Sequence, residues 1–138
     1  MSFRFFLLVA SLLVFSGCNS TYMKNYFAMD SFTNTSKSYS NLLRWHEFDA
    51  AAAYVDAPLL EEYQKRIEAA RGVSILDLRI LDTKYDAENR TAQVLMQFDY
   101  NISPSLTVKT VTDLQKWRYL DEGEKKGWRL ESLLPVFE

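Results

Sequence analysis

Two side chains with distinctive chemistry occur once each in this chain of 138 residues: the thiol of Cys18 and the imidazole of His46. A thiol is a nucleophile and a site of acylation, and an imidazole titrates near neutral pH, where it serves as a general base. Five aromatic residues are candidates for lining an apolar ligand pocket, with ordinary core as the alternative: Trp45, Phe98, Tyr100, Trp117 and Trp128.

Cys18 follows an apolar stretch at the start of the chain. Arg4 places a positive charge before the 11-residue apolar run 5–15, and the small residues Ser16 and Gly17 separate that run from the cysteine. This order is typical of an export signal, with a charged region, an apolar region and a small-residue cleavage zone. Because a membrane-spanning helix needs about 20 apolar residues, we predict a cleaved signal rather than an anchor.

The cysteine after this small pair resembles the lipobox of bacterial lipoproteins, with Phe15 where that family usually has an aliphatic residue. The resemblance implies cleavage before Cys18, a diacylglyceryl group on its thiol and palmitate-type acyl chains. In enterobacterial lipoproteins an Asp after the cysteine resembles an inner-membrane retention signal, and Asn19 stands there in this chain. The resemblance therefore favours the inner leaflet of the outer membrane as the location of the lipid anchor. An ordinary secretory signal and an uncleaved anchor are the alternatives.

The rest of the chain divides into a polar segment and one domain. We predict a signal peptide over residues 1–17, a tether over residues 18–35 and a folded domain over residues 36–138. Aromatic residues interrupt the tether, and we expect them to dock on the domain or to lie at the membrane surface: Tyr26, Phe27 and Phe32.

Composition and spacing exclude several classes of function. Removing Arg4 with the signal leaves 15 basic and 18 acidic residues, which is not the basic field of a nucleic-acid-binding protein. One histidine and no thiol after acylation leave no metal-ligand spacing, so no metal is expected. The four glycines are not clustered, so no phosphate-binding loop and no cofactor are expected.

Two helices are predicted ahead of the sheet. Apolar residues recur every three or four positions over residues 36–54 and 58–70. The first is expected to break near residues 45–49, with Asp49 as the N-cap of a short helix that follows the break. Gly72 ends the helix over residues 58–70.

The spacing then changes to alternation, which predicts four strands: residues 73–85, 92–100, 106–119 and 128–134. In the third strand Leu106, Val108 and Leu114 share one face, while Trp117 and Tyr119 lie on the other, so we predict a bulge or a sharp twist there. Short turns make an antiparallel meander. Helices segregated from such a sheet give an α+β fold, with N-terminal helices packed on a curved four-stranded antiparallel sheet.

This order of elements resembles the cone-shaped domains of the nuclear transport factor 2-like (NTF2-like) superfamily. Residues 45–56 after a Tyr-rich helix, and the terminal segment 127–132 with Trp128, carry the resemblance. A cystatin-like sheet on a helix is the alternative. The superfamily contains isomerases, dehydratases and non-catalytic modules, so the fold selects no single function.

Catalytic members of that superfamily often combine an Asp with a His or Tyr inside the cone, and the matching strand residues here are Asp99, Tyr100, Asp113 and Tyr119. Asp99 and Asp113 alternate with the main apolar face, so we predict that they face solvent or pair with Arg79 and Lys109. We predict His46 on the helix surface or half-buried before Phe48. No catalytic set is therefore predicted.

The resemblances together imply a lipid-anchored lipoprotein of the cell envelope that faces the periplasm. Its domain is expected to be a non-catalytic binding or assembly module for an envelope protein or a small apolar ligand. The alternative is a small NTF2-like isomerase or hydrolase that uses His46 and a pocket carboxylate.

Overall fold

The computed structural model describes residues 19–123 and 126–138, with the side chains of residues 19 and 20 excepted. The described elements are, in order, α1 (Asn19–Arg44), α2 (Phe48–Ala51), the 3₁₀ turns Ala52–Tyr54 and Ala57–Leu59, α3 (Leu60–Ala69), β1 (Val73–Asp86), β2 (Thr91–Ile102), β3 (Lys109–Leu120) and β4 (Gly127–Leu130). The predicted signal peptide and Cys18 lie outside the described residues. The α+β class is confirmed, and the arrangement is consistent with an NTF2-like cone.

The four strands form one antiparallel sheet in which each strand pairs with its neighbours in chain order. The pairing of β1 with β2 shifts between Ile75 and Asp77 and again between Ile80 and Asp82. Such irregularities bend a strand and increase its twist. Of the two irregularities predicted for the third strand, the bulge is wrong for its pairing with β2, which runs without a shift over residues 109–118.

α1 begins at Asn19, whereas the sequence predicted a helix only from residue 36. Its buried positions recur every three or four residues, as a helix with one core-facing side requires: Ala28, Phe32, Ser36, Tyr39, Ser40 and Leu43. The indole Nε1–H of Trp128 donates to the carbonyl of Ala28 at 2.9 Å and joins this part of α1 to β4. The folded domain therefore extends beyond its predicted start at residue 36, into the segment predicted as a tether.

Polar composition obscured the first half of α1. Ser, Thr and Asn side chains compete with the helix for backbone hydrogen bonds, so locally they favour turns and caps. In the structure such hydroxyls bond back to their own helix: Thr33, in the part of α1 that the sequence missed, donates to the Met29 carbonyl at 3.1 Å, and Ser40, further along, donates to the Ser36 carbonyl at 2.7 Å. Tertiary packing of the apolar positions, rather than local propensity, stabilises this helix.

The remaining helices lie close to their predicted positions. α1 ends at Arg44 and α2 starts at Phe48, so the break is confirmed, although Glu47 rather than Asp49 holds the N-cap position. Asp56 accepts a hydrogen bond from the backbone N–H of Ala57 at 3.0 Å and caps the turn that leads into α3.

Aromatic rings fill the space between α1 and the inner face of the sheet, which is the face toward the helices. The Phe32 ring lies 4.9 Å from the Trp128 ring and 6.1 Å from the Trp117 ring, measured between centroids. Tyr39 meets Trp117 edge-on at 5.3 Å. Edge-to-face pairs contribute about 0.5–1.5 kcal/mol each beyond the burial of their area.

β3 turns a different face to the core from the one that the sequence predicted. Its register with β2 places five alternate residues on the inner face: Val111, Asp113, Gln115, Trp117 and Tyr119. Leu114 is exposed, and so are Val108 and Leu106, the latter 86% exposed, in the segment before β3. The prediction that Asp113 faces solvent is therefore wrong, because the pairing with β2 decides which face of β3 is buried.

Phe32→Ala should lower the free energy of unfolding by about 3–5 kcal/mol, because truncating a buried ring leaves a cavity between α1 and the sheet. The control on the same helix is Phe27→Ala: Phe27 is 60% exposed and Phe32 is 4% exposed. The control should change stability by no more than about 0.5 kcal/mol. Urea denaturation followed by tryptophan fluorescence measures both variants. Similar small losses in the two variants would contradict the packing of residues 28–35 on the sheet.

Candidate functional site

The five aromatic pocket candidates do not share one environment. Phe98, Tyr100, Trp117 and Trp128 are buried on the inner face of the sheet. Trp45 lies just beyond the end of α1 and is 73% exposed. The structure thus brings four of the candidates together within the core and leaves Trp45 apart from them on the surface.

The C-terminal segment packs on two of these core residues. The Phe137 ring lies 4.9 Å from Tyr100 and 6.0 Å from Phe98, both edge-on. The Tyr100 hydroxyl donates to the Glu138 carbonyl at 2.9 Å and accepts from the Glu138 backbone N–H at 3.1 Å. Leu134 is also buried. The chain's own end therefore covers the part of the inner face where an apolar ligand would contact Phe98 and Tyr100.

Two phenol hydroxyls meet in the interior. The hydroxyls of Tyr39 on α1 and Tyr63 on α3 lie 2.7 Å apart and share a hydrogen bond. Burial, and to a lesser degree the charge of Asp113, raises the pKa of each phenol above its ordinary value. Both groups are therefore neutral hydrogen-bonding groups at physiological pH, and they lie close enough to Asp113 to sense its charge.

Asp113 is a carboxyl residue whose pKa the fold raises toward neutral pH. Burial raises the pKa of its carboxyl to about 6, and a hydrogen bond with Gln115 acts in the opposite direction. Gln115 is itself anchored, because its amide contacts the Met96 sulfur at 2.8 Å and accepts from the Trp117 indole at 3.3 Å. A carboxyl whose pKa lies near neutrality is able to exchange a proton or to bind a polar group. Its charge also acts on the two phenol hydroxyls.

His46 does not join this cluster. It is exposed at the end of α1 with a φ of 61°, and its ring contacts Phe48 at 4.6 Å between centroids. Within the described part of the chain it forms no hydrogen bond or ion pair with a carboxylate. Among the described residues the geometry therefore gives His46 no acid partner.

Asp99 lies on the outer face, as its alternation predicted. It pairs with Arg79 at 2.9 Å and accepts a hydrogen bond from the Thr110 hydroxyl at 2.8 Å, both across neighbouring strands. Tyr119 contacts the Trp128 ring at 5.5 Å and lies under the Arg90 guanidinium. Neither residue belongs to the group around Asp113.

An open groove of about 610 Å³ separates the first part of α1 from one end of the sheet. Its lining residues are Lys24, Phe27, Ala28, Asp30, Ser31, Arg90, Tyr119 and Asp121. Arg90 pairs with Asp121, so two basic and two acidic side chains line the groove without favouring one sign of ligand charge. Sequence reasoning missed this groove because only the pairing of the strands brings Arg90 beside Asp121.

Comparisons with known proteins add no relative: no family model, no curated protein and no solved structure matches this chain. Among residues 19–123 and 126–138, no group of three or more His, Cys, Asp or Glu side chains is placed to hold a metal ion. In the same residues no helix combines the length and the apolar character needed to cross a bilayer.

Asp113→Asn should change how stability depends on pH. A raised carboxyl pKa means that the folded state holds its proton more tightly than the unfolded chain does, so wild-type stability should fall as pH rises from about 4 to about 6. The variant keeps an amide that can bond to Gln115 but has no charge to bury. At neutral pH it should be more stable than the wild type by on the order of 2 kcal/mol.

Urea denaturation between acidic and neutral pH measures this difference, and the two proteins should converge below the ordinary pKa of an aspartate. Parallel pH profiles would show that Asp113 titrates as an exposed carboxyl does.

Proposed function

We propose that this protein is a lipid-anchored lipoprotein of the cell envelope whose domain is a non-catalytic binding or assembly module facing the periplasm. The observation that carries the proposal is the position of Cys18, after an apolar run and the small pair Ser16–Gly17. An acyl group on its thiol gives this exported thiol a role that requires no disulfide partner. Two or more acyl chains hold a protein stably on a membrane, whereas one does so only marginally.

The interior of the fold supports binding rather than catalysis. Core rings and the C-terminal segment occupy the inner face of the sheet, where an NTF2-like enzyme would hold its substrate. His46 has no carboxylate partner among the described residues. Surfaces remain for a partner, and the apolar ones include residues outside the core at the start of α1, near its end and before β3: Tyr22, Tyr26, Phe27, Trp45, Leu106 and Val108.

The lipoprotein resemblance implies that an Asp directly after the cysteine would retain the protein in the inner membrane. Asn19 occupies that position, which supports the outer membrane as the location. The inner leaflet of that membrane would place the domain in the periplasm.

Cys18→Ser should abolish membrane attachment, because serine provides no thiol for the diacylglyceryl group. We expect the variant protein to accumulate unprocessed or to be released as a soluble protein. Mass spectrometry of the wild-type N-terminus should find an acylated Cys18 as the first residue. A Cys18→Ser protein that is processed normally and stays in the membrane fraction would contradict the lipid anchor.

A second candidate function, a small isomerase or hydrolase, rests on one observation. Asp113 lies on the inner face, and its charge influences the paired phenols of Tyr39 and Tyr63. That grouping supplies an acid–base residue and hydrogen-bond donors of the kind that the NTF2-like resemblance implies. The role first considered for His46 has no geometric support in this arrangement.

Complementation of a deletion strain distinguishes the two functions. A binding module should tolerate both His46→Ala and Asp113→Asn, since neither change alters an exposed apolar surface. An enzyme that uses Asp113 should lose activity in Asp113→Asn at normal protein levels, while His46→Ala stays active. Immunoblots of membrane fractions provide the control for protein level and attachment. Loss of complementation in Asp113→Asn alone would favour the enzyme.

A further inference from the structure

The first turns of α1 expose an unusually apolar surface. Five apolar residues there are 45–73% exposed: Tyr22, Met23, Tyr26, Phe27 and Met29. We name this set the N-terminal patch. It stands on the same helix that packs on the sheet, so its backbone is held in place by the core.

Most of the patch lies away from the buried side of α1, and Phe27 also lines the groove beside the sheet. At 100° per residue, Met23, Tyr26 and Phe27 lie about 120–160° around the helix from the midpoint of the buried Ala28 and Phe32, and Tyr22 and Met29 lie about 80–100° from it. The patch is also short. Beyond Met29 the outward side of the helix becomes polar and exposed, with Asp30, Thr33, Asn34 and Lys37. Residues 22–29 span about 10 Å along the helix axis at the α-helical rise.

We propose that the N-terminal patch inserts into the interface of the phospholipid bilayer beside the acylated Cys18. The inference rests on the proposed lipid anchor. It adds that the domain is seated on the membrane through α1 rather than hanging from a free tether. Cys18 directly precedes Asn19, the first residue of α1, so acyl chains on that cysteine would bring the bilayer within reach of the patch.

The chemistry of the segment fits a lipid surface. Residues 19–29 contain one basic residue, Lys24, and no acidic residue, so nothing in them repels anionic headgroups. Tyrosine rings favour the boundary between acyl chains and water, and a lysine is able to extend its charged end toward the headgroups. Interfacial helices bury their apolar side about 5–10 Å deep, within reach of the aromatic and methionine side chains of the patch.

A second copy of this chain or an envelope protein would also cover apolar side chains. A protein partner would not require the exposed residues of α1 to change from apolar to polar just after Met29. The edge of a bilayer interface close to Cys18 would require it. Both protein occupants are outcomes that the experiment below separates from the membrane.

Spin labels at single cysteines test the proposal in the full-length acylated protein. Cys18 is the only cysteine in the sequence, so once its thiol is acylated an added cysteine is the only reactive one. Phe27→Cys places a label in the patch, and Lys37→Cys places the control label on the polar continuation of the same helix. The proteins are reconstituted in vesicles of phosphatidylethanolamine and phosphatidylglycerol, and the label's collisions with oxygen and with a water-soluble nickel complex are measured.

We expect a higher ratio of oxygen to nickel collisions at residue 27 than at residue 37, since oxygen partitions into the bilayer and the nickel complex stays in water. Equal ratios typical of water at both positions would overturn the proposal. Dipolar coupling between labels at residue 27 of two molecules would overturn it in favour of a dimer. An intact mass without acyl groups, together with labelling of Cys18, would instead overturn the lipid anchor and this inference with it.

Discussion

The packing of α1 across the inner face of the sheet is the interaction on which the rest of the structure depends. Phe32 and Tyr39 place their rings against Trp117 and Trp128, and the Trp128 indole bonds to a carbonyl of α1. An isolated helix of this polar composition would be marginal in water. A curved sheet with one apolar face also needs a cover. Helix and sheet therefore stabilise each other.

The same packing encloses polar groups of two kinds. One kind holds elements together, and the other is a candidate for function. The bond between the Tyr39 and Tyr63 hydroxyls joins α1 to α3 and satisfies two groups that burial would otherwise penalise. In contrast, the hydrogen bond of Asp113 with Gln115 lies within β3 and does not join two elements. The partial burial of Asp113 disfavours the charged carboxylate at neutral pH. Among the described interior residues, Asp113 is thus the one whose presence the catalytic alternative would best explain.

α1 also connects the core to the surface where a membrane would lie. Its first turns expose apolar side chains, its middle packs on the sheet, and Trp45 is exposed just beyond its last residue. At the helical rise its 26 residues span about 39 Å. A helix fixed to the sheet along its middle would transmit the position of its start to the whole domain. Under the proposed lipid anchor, membrane contact at the start would then fix the orientation of the exposed Trp45 relative to the bilayer.

Local patterns in the sequence determined the order of elements: alternation marked the strands, three- and four-residue spacing over residues 58–70 marked the helix before β1, and a break was expected near residues 45–49. They determined the α+β class for the same reason, since periods of 3.6 and 2 depend only on near neighbours. The length of α1 and the buried face of β3 depended on distant partners. Short polar residues hid the first, and pairing with β2 decided the second, so only the tertiary structure placed Asp113 inside.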